Sequence, residues 1–277
     1  MHPITFKLKN NVDTLKQKGI SEAALRVFAK ESLQNHILHA IYSHPKYKEL
    51  IFYGGTCLRK IYGLNRMSED LDFESPVKFS LTEIGNYLVA YFKNQEFEKV
   101  DYSLQQGEHI CRVTIKFPIL YELGLSKMAS EKLHVKVEVN SFLKGKFSTE
   151  LTPLMTESLP VIVKHYSIEV MMASKIIACL ERVFLKGDTG INIKGRDYYD
   201  LLWYMGKGVQ PDKRYLASGK KKYTTKSVFN ELDKKIEKIK KEDLLIDLLP
   251  MFEDEAYIRE WCTNFHSFYH RFRKAYH

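Results

Sequence analysis

Two aspartates one residue apart, Asp70 and Asp72, carry the clearest chemical signal in the chain, and they follow a Gly54-Gly55-Thr56 turn within the stretch from Leu50 to Ser75. Strand alternation puts both carboxylates on one face of Asp70–Phe73, with Leu71 and Phe73 on the other. Paired carboxylates suit Mg²⁺, a hard cation that takes oxygen ligands and often shares them with substrate phosphates. The paired glycines allow close approach to backbone amides, and amides at a helix start hold phosphate oxygens. An isolated Asp-x-Asp is usually a solvated strand face; the preceding glycine turn is what shifts the reading toward a phosphate and metal site.

The elements that would position these groups can be read from the same stretch. Ile51-Phe52-Tyr53 has strand-favouring residues, Thr56 stands where a helix N-cap would stand, and Cys57–Tyr62 reads as a short helix closed by Gly63. Leu133–Val139 alternates as a strand, with His134, Lys136 and Glu138 on its polar face. Glu138 is thereby a candidate third metal carboxylate, or an exposed glutamate paired with Lys136 or Lys132. Helices are expected over residues 21–43, 81–94, 167–185 and 229–249, and strands over 96–104 and 109–117. His36 and His39, on the first of these helices, have no acid or cysteine arranged around them and read as packing or surface residues.

The pattern Gly-Gly-Thr-x-Leu…Arg-x-Ser-x-Asp-x-Asp-Phe, carried by Gly54, Gly55, Thr56, Leu58, Arg66, Ser68, Asp70, Asp72 and Phe73, resembles the polymerase-β-like nucleotidyltransferases. More narrowly it resembles the AbiEii-type toxin nucleotidyltransferases, where threonine replaces the superfamily's usual serine. A second match lies more than a hundred residues on: Lys175, Ala178 and Arg182 on one helix, then Arg196, Asp197, Asp200 and Leu201. The resemblance implies a metal-dependent transferase that moves a nucleoside monophosphate from an NTP to an acceptor, releasing pyrophosphate. It implies two Mg²⁺ ions, with Mn²⁺ as a substitute, bound by Asp70, Asp72 and Glu138. It implies a nucleotide held by Gly54, Gly55, Thr56, Arg66, Ser68 and Lys175, with Asp70, Asp72, Lys175 and Asp197 as catalytic residues. Asp197 could hold Lys175 through an ion pair or could contact base or acceptor, and the sequence leaves both open. The implied acceptor is RNA, the 3′ end of tRNA, and the implied partner is an antitoxin protein. Two alternatives stand beside this: transfer to a protein or small molecule, and a non-catalytic nucleic-acid-binding protein on the same fold.

The chain has 277 residues, 44% of them hydrophobic, and a net charge of +9, which favours a polyanionic partner. No apolar run approaches the roughly 20 residues of a membrane span, so no membrane association is expected. The amino terminus lacks the apolar core of a signal peptide. Four scattered cysteines fit reduced thiols in a cytoplasmic protein. Prolines at 153 and 160 mark a change of composition, with a helical pattern beyond. The expected architecture is α/β: a nucleotidyltransferase core over residues 1–155, with a small mixed sheet and flanking helices, and a helical domain over 156–277 closing a cleft across which Lys175 and Asp197 reach. Lys220, Lys221 and Lys222 form a basic run in a polar, mobile and exposed loop and are the expected RNA contacts, together with Arg182 and Arg196. The aromatics near the carboxyl terminus read as helix packing.

Overall fold

The alternation of Leu71 and Phe73 with Asp70 and Asp72 builds the centre of a mixed sheet. In the computed structural model, which describes residues 3–95, 97, 99–107, 111–141, 147–156, 159–182 and 193–276, this stretch is strand β2 (Asp70–Ser75). It pairs antiparallel with β1 (Ile51–Tyr53) and parallel with β5 (Leu133–Ser141). With β3 (Asp101–Gln106), β4 (Cys111–Phe117), β6 (Thr149–Thr156) and β7 (Leu159–Tyr166), the seven strands run in the order β3-β4-β5-β2-β1-β7-β6. The chain divides into two compact units, one of residues 1–142 and 149–165, the other of residues 143–148 and 166–277.

The first unit is held together by apolar faces laid on the sheet. Helices α1 (Pro3–Gln17), α2 (Glu22–Ser43), α3 (Gly54–Tyr62) and α4 (Leu81–Lys93) belong to it. Ser21 caps α2 by accepting from the Ala24 amide, and Leu33, Ile37 and Ile41 bury that helix's inner side. Phe52 and Phe73 stack across β1 and β2 at 5.2 Å, and Phe92 of α4 meets Phe117 of β4 edge-on at 4.8 Å. Each such fully buried ring contributes roughly 1.5–3 kcal/mol over an exposed one. His39 bonds the Tyr91 hydroxyl at 3.0 Å, the packing role expected of it.

Several local expectations are corrected. Residues 149–166 form strands β6 and β7 where a change to helix was expected. Their prolines are tolerated because β6 is a sheet edge and Pro160 stands at the start of β7. Thr56 is not an N-cap, since α3 begins at Gly54 and Tyr53 is its capping position; Gly63 does close it, with φ of 78°. The single helix expected over 229–249 is two, α8 (Thr225–Ile236) and α9 (Lys241–Leu248). The helix expected to reach Leu185 ends at Glu181, with Arg182 extended as its cap, and the strand expected over 96–104 runs instead from Asp101 to Gln106; the break at residues 187–190 and the strand start at His109 lie outside the described residues.

The second unit holds α5 (Ile168–Glu181), α6 (Gly195–Gly206), α7 (Lys213–Leu216), α8, α9, α10 (Glu255–Thr263) and α11 (Phe265–Arg273). Its carboxyl-terminal aromatics pack inward, as expected: Phe265, Tyr269 and Tyr276 are buried, and the Tyr276 hydroxyl donates to the Val209 carbonyl at 2.7 Å. The four cysteines are free thiols. Among the described residues no helix is long and apolar enough to cross a membrane.

Candidate active site

In the first unit the site grows from the β1–α3 turn. Gly54 has φ of 80°, a conformation that disfavours any side chain, and a Cβ placed there would run into the Asp72 carboxylate, with Cγ at 3.1 Å. The glycine thus lets the start of α3 lie directly against Asp72. Gly55 does the same on the other side: a Cβ there would come within 2.5 Å of Arg66 Nη2. A helix N-terminus, with its unsatisfied amides, is in this way brought beside a strand carboxylate.

Thr56, Arg66 and Ser68 are buried beneath the turn. They are 0%, 2% and 7% exposed. The Thr56 hydroxyl donates to the Asp70 carbonyl and lies 2.7 Å from Ser68 Oγ, while Arg66 donates to the Met67 carbonyl at 2.9 Å. Glu31 accepts from the Ser68 amide at 3.2 Å and pairs with Arg59. These side chains hold the glycine turn and the entry to β2 in place. The backbone at Gly54 and Gly55 remains suited to holding phosphate oxygens.

The carboxylates follow the strand register. Asp70 and Asp72 share one face of β2, with Asp70 opposite Lys136 and Asp72 opposite Glu138 on β5. Lys136 Nζ lies 3.9 Å from Asp70 Oδ1. Glu138 is on the expected face, but its Oε1 accepts from Arg112 Nε at 2.9 Å and Nη2 at 2.5 Å. Among the described residues no three acidic, histidine or cysteine side chains converge as a ready metal cluster. Two partly exposed carboxylates on one face fit Mg²⁺ of the kind that completes its shell with substrate phosphates and water, not a closed protein cage. Arg112 was not anticipated; the signal was the antiparallel pairing of β4 with β5, which sets Arg112 opposite Glu138. Asn140, beyond that register on β5, donates its amide to the Tyr53 hydroxyl at 3.0 Å.

In the second unit the Lys175 motif assembles on α5 and α6. Lys175 Nζ lies 2.8 Å from Asp197 Oδ1 and 2.9 Å from Asp200 Oδ2, and Arg182 Nη1 lies 2.6 Å from Asp197 Oδ2. Burial pushes the Asp197 carboxyl up, but the Lys175, Arg182 and Lys194 charges outweigh it and hold the group at about 2. Of the roles left open for Asp197, the ion pair with Lys175 is present. Arg196 is engaged with Asp247, whose carboxylate accepts from its amide at 3.0 Å. In the basic run, Lys221 pairs with Glu231 at 2.6 Å and lies over the Tyr223 ring, which is buried and fixes the loop; Lys220 and Lys222 are exposed.

Comparison with known proteins gives the family. The described fold is similar to that of JHP933 from Helicobacter pylori, with TM-score 0.54, 19% identity, and coverage of 92% of this chain and 94% of that one. It is also similar to a structure provisionally described as a nucleotidyltransferase from H. pylori, with TM-score 0.53, 19% identity, and coverage of 92% and 96%. A comparison with curated proteins found no significant match. The family model for AbiEii, the nucleotidyl transferase toxin of type IV toxin–antitoxin systems, matches residues 36–275. Nearly the whole chain is covered, glycine turn, Asp70–Asp72 face and Lys175–Asp197 motif included, and the protein belongs to the AbiEii family of nucleotidyl transferase toxins.

Proposed function

We propose that the protein transfers a nucleoside monophosphate from a Mg²⁺-bound NTP to an RNA 3′ end, that of tRNA, as the toxin of a pair with a separate antitoxin protein. The observation that carries this reading is the Gly54 contact, which sets the amino-terminal amides of α3 beside the Asp72 carboxylate. Asp70 and Asp72 would hold Mg²⁺, or Mn²⁺ in its place. The ion supplies charge neutralisation on the transferring phosphoryl group and on the attacking and leaving oxygens. The backbone of Gly54 and Gly55 orients the triphosphate through N–H donors that require no reorganisation as charge develops. Glu138 would join them through Oε2, since both of its bonds from Arg112 fall on Oε1.

A second reading, transfer to a protein or small molecule, is favoured by one observation. Arg182, Arg196 and Lys221, three of the five expected RNA contacts, are each engaged by a carboxylate of the same chain. Incubating the protein with each α-labelled NTP, Mg²⁺ and total cellular extract separates the readings. Label in small RNA is the expected outcome, and label confined to protein or to small metabolites would replace the RNA acceptor.

A further inference from the structure

The first unit also holds a hollow away from the Asp70–Asp72 face. It has a volume of about 370 Å³ and opens among α1, α2, α3, the end of β6 at Thr156 and the start of β7 at Leu159. Small-ligand sites are clefts or cavities of roughly 300–1,000 Å³. Its walls differ in chemistry. Leu8, Phe28 and Leu159 supply an apolar side; Asn11, Asn35 and Lys60 supply hydrogen-bonding groups on the other.

Lys60 gives the hollow its polarity. Its ammonium donates to Asn35 Oδ1 at 2.6 Å and to the Glu31 carbonyl at 3.2 Å, leaving a third proton unassigned. No carboxylate pairs with it among the described residues, because the Glu31 carboxylate is taken by Arg59 and the Ser68 amide. Burial lowers the Lys60 ammonium to about 8, with the Glu31 charge opposing and the Arg59 charge adding to the shift, so the hydration it loses is only partly made good. A bound anion would replace it. A purely apolar ligand would leave the ammonium unmet, and a cation would be repelled by Lys60 and by Lys7, which also lines the hollow.

We propose that this cavity is a binding site for a small organic anion with an apolar body, its anionic head on Lys60 and Asn35 and its body against Leu8, Phe28 and Leu159. The site is independent of the transfer reading, since none of its lining residues belongs to the Asp70–Asp72 face.

The test uses the full chain with saturating Mg·ATP, so that nucleotide-site binding does not contribute. The probe is 8-anilinonaphthalene-1-sulfonate, followed by fluorescence and calorimetry. Expected is saturable binding with one-to-one stoichiometry. Lys60→Met should weaken it about tenfold or more, and Leu8→Trp, which fills the hollow, should abolish it. N-phenyl-1-naphthylamine, the same body without the sulfonate, should bind wild type at least about tenfold more weakly than the sulfonate. Displacement by octanoate or by phenyl phosphate, whichever is stronger, identifies a carboxylate or phosphate head. Absence of saturable binding, equal affinity for the neutral probe, wild-type affinity in Leu8→Trp, or displacement by neither competitor would overturn the proposal. Should Lys60→Met not fold, the neutral-probe comparison on wild type and the Leu8→Trp variant still decide it.

Discussion

A single hydrogen at Gly54 decides whether Asp72 can sit where it does. The positive φ alone costs a side chain about 1–2 kcal/mol, and the methyl of Gly54→Ala would also have to displace the Asp72 carboxylate. Gly54→Ala should therefore lower thermal stability by that amount and lose transfer activity beyond what the stability loss explains. Labelled-NTP transfer measured well below the melting temperature checks this; full activity in a folded Gly54→Ala would separate the glycine from the site. Asp72→Ala makes the complementary case. It removes one acidic group from a face shared with Asp70 and also its contact with the start of α3, opposing effects on stability, so melting should change little while transfer is abolished. At this scale the sequence was informative about identity but not about direction. Asp70 and Asp72 could be placed on one face because strands alternate, whereas Thr56, Arg66 and Ser68 share the motif yet point inward. Only the hydrogen bonds from Thr56 to the β2 entry reveal that, and no spacing rule contains them.

Elements decide what the charged residues can do. Lys175 on α5 is pinned between Asp197 and Asp200 of α6, and it is 13% exposed against 0% for Asp200. Removing one partner of a buried pair strands the other charges, a loss of about 3–5 kcal/mol. Lys175→Ala should accordingly melt well below wild type, and calorimetry that finds no destabilisation would restore a purely catalytic role. The same cluster sets an acid limit. The Asp197 carboxyl is held at about 2, below its ordinary 3.8, so its stabilisation is complete above about pH 4 and is lost as pH falls toward 2. Acid titration should show Asp197→Asn losing the part of the wild-type stability change that falls between pH 4 and 2. On the sheet, Arg112→Gln should free Glu138 and remove a cation from the acidic face, tightening Mg²⁺ binding as read by calorimetry without nucleotide. Helix α2 was legible because its cap and apolar spacing agree. Strands β6 and β7 were not, because proline looks like a breaker until the sheet order shows an edge.

For the molecule as a whole, a net charge of +9 predicts an attraction to polyanions but not which cations make the contact. The basic run was legible as a stretch, and its three lysines looked equivalent in sequence. The structure makes them unequal. Lys221 is committed to Glu231 and the Tyr223 ring, while Lys220 and Lys222 are exposed without an ion pair among the described residues. If RNA crosses this loop, each phosphate contact releases counterions and adds about 0.7 to the log–log salt slope on a single strand, or about 0.9 on a duplex. Replacing Lys220 and Lys222 together with serine should then flatten the slope by about 1.4–1.8 and weaken RNA binding at low salt. Lys221→Ser should change the slope little and act instead on the loop, by removing the bond to Glu231. Mg·NTP affinity should be untouched in every case, since the glycine turn and the Asp70–Asp72 face contain none of these residues. Salt titrations of tRNA binding by the double variant check the prediction. A slope equal to that of wild type would mean that these lysines serve solubility, and would turn the search for the acceptor toward the small-molecule and protein substrates.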